Sequence, residues 1–270
     1  MNFAAYNALR SCFAESTDKR KVSSNIHMNS TPSSTSRFAT THWSVVLAAS
    51  SSSSPQYKEA LSSLYQTYWF PLYAYLRRRG CDTHLAEDYM QEFFVRMLDK
   101  HYLSNADQNR GKFRSFLLVA LKRFVADQQD LAQTFKRGGG HKRLSLDLEF
   151  AEAKYALEPV SDLSPEKIFE KSWALAVLEQ AMAQLEAKFA RMNKQKLFDC
   201  LKIYIGGDVN SVPYRNVAAD LNITEDAVKS AVYRLRRQYR QQLRDIIAQT
   251  VTTHDQINEE IQDLFVAIAD

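Results

Sequence analysis

Residues 214–237 read YRNVAADLNITEDAVKSAVYRLRR, and their spacing fits two short helices joined by a tight turn. Val217, Ala218 and Leu221 recur at helical period on one side of the first helix, and Asn222-Ile223 supplies the turn, with a buried hydrophobe expected at its end. Thr224 is a suitable N-cap for the second helix. Glu225 and Asp226 fall in its first turn, where the helix dipole favours negative charge, and Val228, Val232 and Leu235 form its apolar stripe. Lys229, Ser230, Tyr233, Arg234, Arg236 and Arg237 take the remaining arc, as in a helix that enters a DNA groove and anchors on flanking phosphates. Between Pro213 and Arg244 there are seven Lys or Arg against three acids, an excess of 7 − 3 = +4. A nucleic-acid footprint gives such a count, and so does a solvated basic face.

Outward from that stretch, composition sets bounds. A chain of 270 residues with 45% hydrophobic content has enough apolar residues for one or two cores, and its length favours two domains. Seven glycines and six prolines are too few for many hairpins, so long helices are expected. No run of eighteen apolar residues occurs, which predicts a cytoplasmic protein without a membrane span. Cys12, Cys81 and Cys200 are far apart, and the six histidines are equally scattered. Neither a disulfide framework nor a metal site is expected, and no cofactor is assigned. Nor is there a nucleophile, metal or phosphate-loop constellation, which argues against an enzyme.

Residues 1–36 are rich in Ser, Thr and Asn and read as a disordered extension, within which Met28 could serve as the translation start. From Gln56 to Arg79 the helical period is interrupted at Pro71, which predicts two pieces with a kink. Gly80 is expected to end the second piece and Asp82 to cap the next helix, in which Leu85, Ala86, Tyr89, Phe93, Met97 and Leu98 would be buried. The other side of that helix carries Asp88, Gln91, Glu92 and Val95, either a solvated face or a docking surface for a basic partner. From Arg110 to Arg137 aromatic residues, Phe113, Phe116, Phe124 and Phe135, are interleaved with seven basic ones opposed by two acids. Any one of these rings fits a core, and exposed together they suit a single strand of nucleic acid. Gly138, Gly139, Gly140 and the following residues to 163 lose periodicity and read as a flexible linker. Ser164 and Pro165 then open a long helix through Trp173, Leu178 and Leu185. Beyond Arg244 there is no Lys or Arg, and Ile257, Ile261, Leu264, Phe265 and Ile268 make a narrow stripe on an acidic amphipathic helix that must pack on something.

The Tyr- and Trp-rich helix ending RRRG, the acidic LAEDYMQEFFVRML, the basic KFRSFLLVALKRFVAD and the helix-turn-helix, in that order, resemble bacterial RNA polymerase sigma factors of the extracytoplasmic-function (ECF), sigma-70-like class. The resemblance covers residues 38–136 and 164–244. It implies an all-α fold of two small helical domains, a region-two-like bundle over 37–137 and a region-four-like helix-turn-helix domain over 164–250, while the N-terminal extension and the acidic tail helix over 251–270 lie outside the shared core. It implies core RNA polymerase and promoter DNA as partners, and allows an anti-sigma or other regulatory protein. Asp88, Gln91, Glu92 and Val95 would then dock on the polymerase. Lys112, Arg114, Ser115, Phe116, Lys122, Arg123 and Asp127 would hold the melted strand. Thr224, Glu225, Lys229, Ser230, Tyr233 and Arg234 would face duplex DNA, with Arg236 and Arg237 toward phosphate. The other reading is a helix-turn-helix regulator that binds duplex DNA without polymerase.

Overall fold

The computed structural model describes residues 55, 57–98, 112–134, 148–156, 163–206, 212–251 and 253–269. The expectations for residues 1–36, for Phe135 and for Gly138–Gly140 fall outside them. Among the described residues there are nine α-helices and no strand: α1 Tyr57–Arg78, α2 Thr83–Leu98, α3 Phe113–Thr134, α4 Leu148–Ala156, α5 Pro165–Arg191, α6 Gln195–Leu201, α7 Tyr214–Leu221, α8 Glu225–Ala248 and α9 His254–Ala269.

Three of these helices stop in the same way. The carboxyl-terminal residue flips to positive φ at Gly80 (94°), Asn193 (56°) and Asn222 (53°). In each, the next amide reaches back to a carbonyl five residues earlier: Cys81 to Leu76, Lys194 to Phe189 and Ile223 to Ala218. This Schellman geometry satisfies carbonyls that the ended helix leaves open, and only Gly and Asn enter the left-handed region at little steric cost. Starts are equally local. Asp82 accepts from the Leu85 amide at 2.8 Å, Ser164 from Lys167 at 3.3 Å and Thr224 from Ala227 at 3.2 Å.

The described residues divide into two compact units. One holds those up to Val177 together with 247–268; the other holds 178–246. The division thus falls inside α5 and near the end of α8. In the first unit α1, α2 and α3 pack together. Their core is aromatic, with Tyr68, Tyr73, Tyr75, Phe93, Phe113 and Phe124 nearly inaccessible to solvent. In the second, Leu185, Phe189, Phe198, Leu201, Val217, Val228, Val232, Leu235 and Tyr239 form the core beneath the helix-turn-helix.

Three expectations about helices are corrected. Pro71 does not divide the first helical segment, since α1 runs through it as one helix of 22 residues. Leu85 is exposed rather than part of the buried stripe of α2. With about 100° per residue, Leu85 lies well away from the direction shared by Ala86, Met90, Phe93 and Met97. Within the segment read as linker, residues 148–156 form α4, anchored to α1 where the Tyr73 hydroxyl donates to Glu152 at 2.5 Å and Arg77 pairs with Glu152 at 3.2 Å.

Candidate nucleic-acid interface

The second helix of the helix-turn-helix, α8, buries Val228, Val232, Leu235, Tyr239 and Leu243. That stripe fixes which residues point away from the core. Thr224, Glu225, Lys229, Ser230, Tyr233, Arg234 and Arg237 are all exposed, and Tyr233 retains 61% of its surface. Spacings of three and four residues from Asp226 through Lys229, Ser230, Tyr233 and Arg234 to Arg237 place them on one face. Lys229 pairs with Asp226 at 3.0 Å, and that hydrogen bond holds its ammonium above its ordinary pKa. Both side chains are open to solvent, so the pair is weak and a stronger anion can replace Asp226.

Arg236 does not join that face. Its Nε and one Nη donate to the Tyr204 carbonyl at 3.0 and 2.9 Å. The Tyr204 hydroxyl in turn donates to the carbonyl of Val212, and its ring packs on Tyr214 at 4.9 Å. Arg236 therefore fastens α8 to the chain entering α7, instead of reaching phosphate as expected from sequence. Ile223, expected to be buried, is 39% exposed. The turn is held by the left-handed Asn222 and its backbone bonds, so it needs no buried side chain.

On α2, Asp88 and Val95 are exposed, Val95 by 52%, and Leu85 lies beside them. Glu92 is half-buried and accepts from Arg96 at 2.8 Å and from Gln128 at 2.6 Å. Gln91 is buried and donates to Glu87 at 3.0 Å. The exposed face of α2 is therefore Leu85, Asp88 and Val95 with the edge of Glu92, and Gln91 is set back from it.

On α3 the interleaved basic and aromatic residues separate into two sides. Phe113 and Phe124 lie in the core, where Phe113 meets Tyr68 edge to face at 5.5 Å and Phe124 meets Phe93 at 5.7 Å. Phe116 is half-buried and stacks on Phe113. Arg114 is buried to 5% exposure. It falls at i, i+4, i+7, i+11 with Leu118, Leu121 and Val125, the core stripe itself. Its guanidinium donates to Glu260 at 2.7 and 3.1 Å and to Asp263 at 2.7 Å, pairs with Glu170, and lies 4.4 Å over the Trp173 ring. Lys112 pairs with Glu260 at 2.8 Å and with Asp263. Burial alone would lower the Lys112 pKa, but hydrogen bonds to Asp263 and Glu260 outweigh it and hold the ammonium above its ordinary value. Burial, opposed by Arg114 and reinforced by Glu260 and Asp263, raises the Glu170 carboxyl above the usual range. Lys122 pairs with Glu166 at 2.7 Å, both partly exposed. Ser115, Val119, Arg123 and Asp127 form the open side of α3.

The carboxylates that engage Lys112 and Arg114 are Glu170, Glu260 and Asp263, none of them among the site residues expected from the sequence. A signal was present. Glu260 falls at i+3 from Ile257 and one residue before Ile261, on the apolar stripe of α9, and a carboxylate at such a position requires a buried cation. Among the described residues no group of His, Cys, Asp and Glu could hold a metal, and no helix is long and apolar enough to cross a membrane.

A family model described as ECF sigma factor matches residues 76–245. No curated protein and no solved structure matches the chain.

Proposed function

The chain belongs to the ECF sigma factor family, whose members are RNA polymerase-binding promoter-specificity factors, and from that premise we propose that it docks on core RNA polymerase and directs recognition and opening of promoter DNA. The observation that carries this reading is the segregated face of α8. Lys229, Ser230, Tyr233, Arg234 and Arg237 are exposed together while Val228, Val232 and Leu235 hold the helix to its unit. Lys229, Ser230 and Arg234 would meet base edges, with Glu225 able to accept from cytosine amino groups, and Arg237 would anchor on phosphate. The α2 face of Leu85, Asp88 and Val95 with Glu92 would meet a basic surface of the polymerase. Ser115, Phe116, Arg123 and Asp127 of α3 would meet the opened strand, with stacking and phosphate contacts offsetting the cost of unstacking. Residues 37–137 and 164–250 would thus supply separate anchors, on polymerase with single-stranded DNA and on the upstream duplex. Transcription from a promoter library with purified core polymerase tests the proposal: a specificity factor initiates from a defined subset, whereas a duplex-binding regulator initiates from none.

A further inference from the structure

Lys112 and Arg114 stand at the start of α3, next to the residues assigned above to the opened strand, yet both are occupied by carboxylates of the carboxyl-terminal helix. Glu260 and Asp263 of α9 each engage both cations. Glu260 is 2% exposed, and the helix is seated by Ile257, Ile261, Leu264 and Phe265, all buried. Among the described residues, two cations face three carboxylates, Glu170, Glu260 and Asp263, a formal charge of 2 − 3 = −1 for this cluster. Without the two α9 carboxylates the same place would carry 2 − 1 = +1. Seated in this way, α9 turns a place that would attract phosphate into one that repels it.

We propose that α9 is an intramolecular competitor of nucleic acid, its Glu260 and Asp263 holding the sites at Lys112 and Arg114 that a phosphate of single-stranded DNA takes when those carboxylates give way. The proposal rests on the reading that α3 faces the opened strand. Its consequence is regulatory: the free protein binds single strands poorly, and strand binding at full strength requires the acidic grip to be loosened, as neutralising the two carboxylates would do. The two cations differ in how they are held. Among the described residues, the carboxylates paired with Lys112 come from α9, whereas Arg114 also has Glu170 and the Trp173 ring. Lys112 is therefore the cation released first.

The test measures binding of a short fluorescein-labelled single-stranded oligonucleotide of mixed sequence to the full-length protein by polarisation across a salt series. Glu260→Gln with Asp263→Asn keeps shape and removes both charges. Affinity is expected to rise about tenfold, and the slope of log K against log salt to steepen by about 1.4, from two phosphate contacts at about 0.7 each. Asp263→Asn alone, at a half-exposed position, should give about half that steepening. Adding Lys112→Ala to the double variant should remove part of the gain. Equal affinity and slope for wild type and both variants, with Arg123→Ala still weakening binding, would overturn the competitor role while leaving the strand face standing. Loss of stability without any change in DNA binding would likewise reduce the cluster to a structural staple and overturn the proposal. Binding that is insensitive to Arg123→Ala as well as to the α9 variants would remove the strand-face reading and the proposal together.

Discussion

Arg114 Nε donates to Glu260 Oε1 at 2.7 Å across 146 residues of sequence, joining the first turn of α3 to the carboxyl-terminal helix within one unit. Both side chains are almost fully buried, so salt screens the bond little. Removing one partner leaves the other charged in a low-dielectric site. Arg114→Met should therefore cost about 3–5 kcal/mol of stability, while Lys112→Met, which lifts a partly exposed cation, should cost about 1 kcal/mol or less. Urea unfolding compares the two. Equal small losses would mean that the carboxylates find other partners.

The pH dependence of stability follows from Glu170. Its folded-state pKa lies above the ordinary 4.5, chiefly because burial disfavours the charged form. The folded chain therefore holds that proton more tightly than the unfolded chain, and stability falls as pH rises from 4.5 through the folded-state value. Glu170→Gln should flatten this part of the profile. Chemical unfolding of both proteins from pH 4.5 to neutrality reads the difference. Parallel profiles would show that Glu170 does not titrate differently on folding.

For duplex recognition, Lys229→Ala should weaken a cognate upstream element by about 1–3 kcal/mol with little effect on random duplex, whereas Arg237→Ala should weaken both alike and reduce the salt slope by about 1. Arg236→Ala should act through the fold, by releasing the Tyr204 carbonyl, and lower the unfolding midpoint. Competition binding with cognate and scrambled duplexes, beside thermal melting, separates the three. Equal losses on both duplexes for Lys229→Ala would remove it from base readout.

At the start of α8, Thr224→Ala should destabilise the second unit by about 1 kcal/mol through loss of the bond from the Ala227 amide, and Thr224→Ser should restore it. Amide exchange in the first turn of α8 is the readout. Unchanged protection in Thr224→Ala would show that the cap is dispensable.

At the polymerase face, Asp88→Arg combined with Val95→Glu alters two exposed side chains without touching the core. Co-purification with core polymerase should be lost while helicity and melting stay as in wild type. Retained association would place docking elsewhere.

Much of this was legible in the sequence wherever one local rule acted alone. Helix ends at Gly80 and Asn222, caps at Asp82, Ser164 and Thr224, and the buried stripe of α8 follow from residues within one or two turns of each other. What escaped depended on partners distant in the chain. Arg114 counted as one more cation in a basic segment, because Glu170 and Glu260, 56 and 146 residues away, could not be placed opposite it. Arg236 sits next to Arg237 in sequence and in type. Only the Tyr204 carbonyl, 32 residues earlier, distinguishes a structural bracket from a phosphate anchor. Leu85 differs in kind: it is apolar at helical spacing, yet its angle on α2 places it beside Asp88 and in solvent.

Promoter opening is the most direct test of the account. Permanganate reactivity of thymines should be followed on a promoter selected from the library, with core polymerase and this protein added separately and together. Unpaired thymines are expected just upstream of the start site only when both are present, and should be lost with the Asp88→Arg, Val95→Glu variant. Opening by polymerase alone, or tight duplex binding by this protein with no opening in the presence of polymerase, would contradict it.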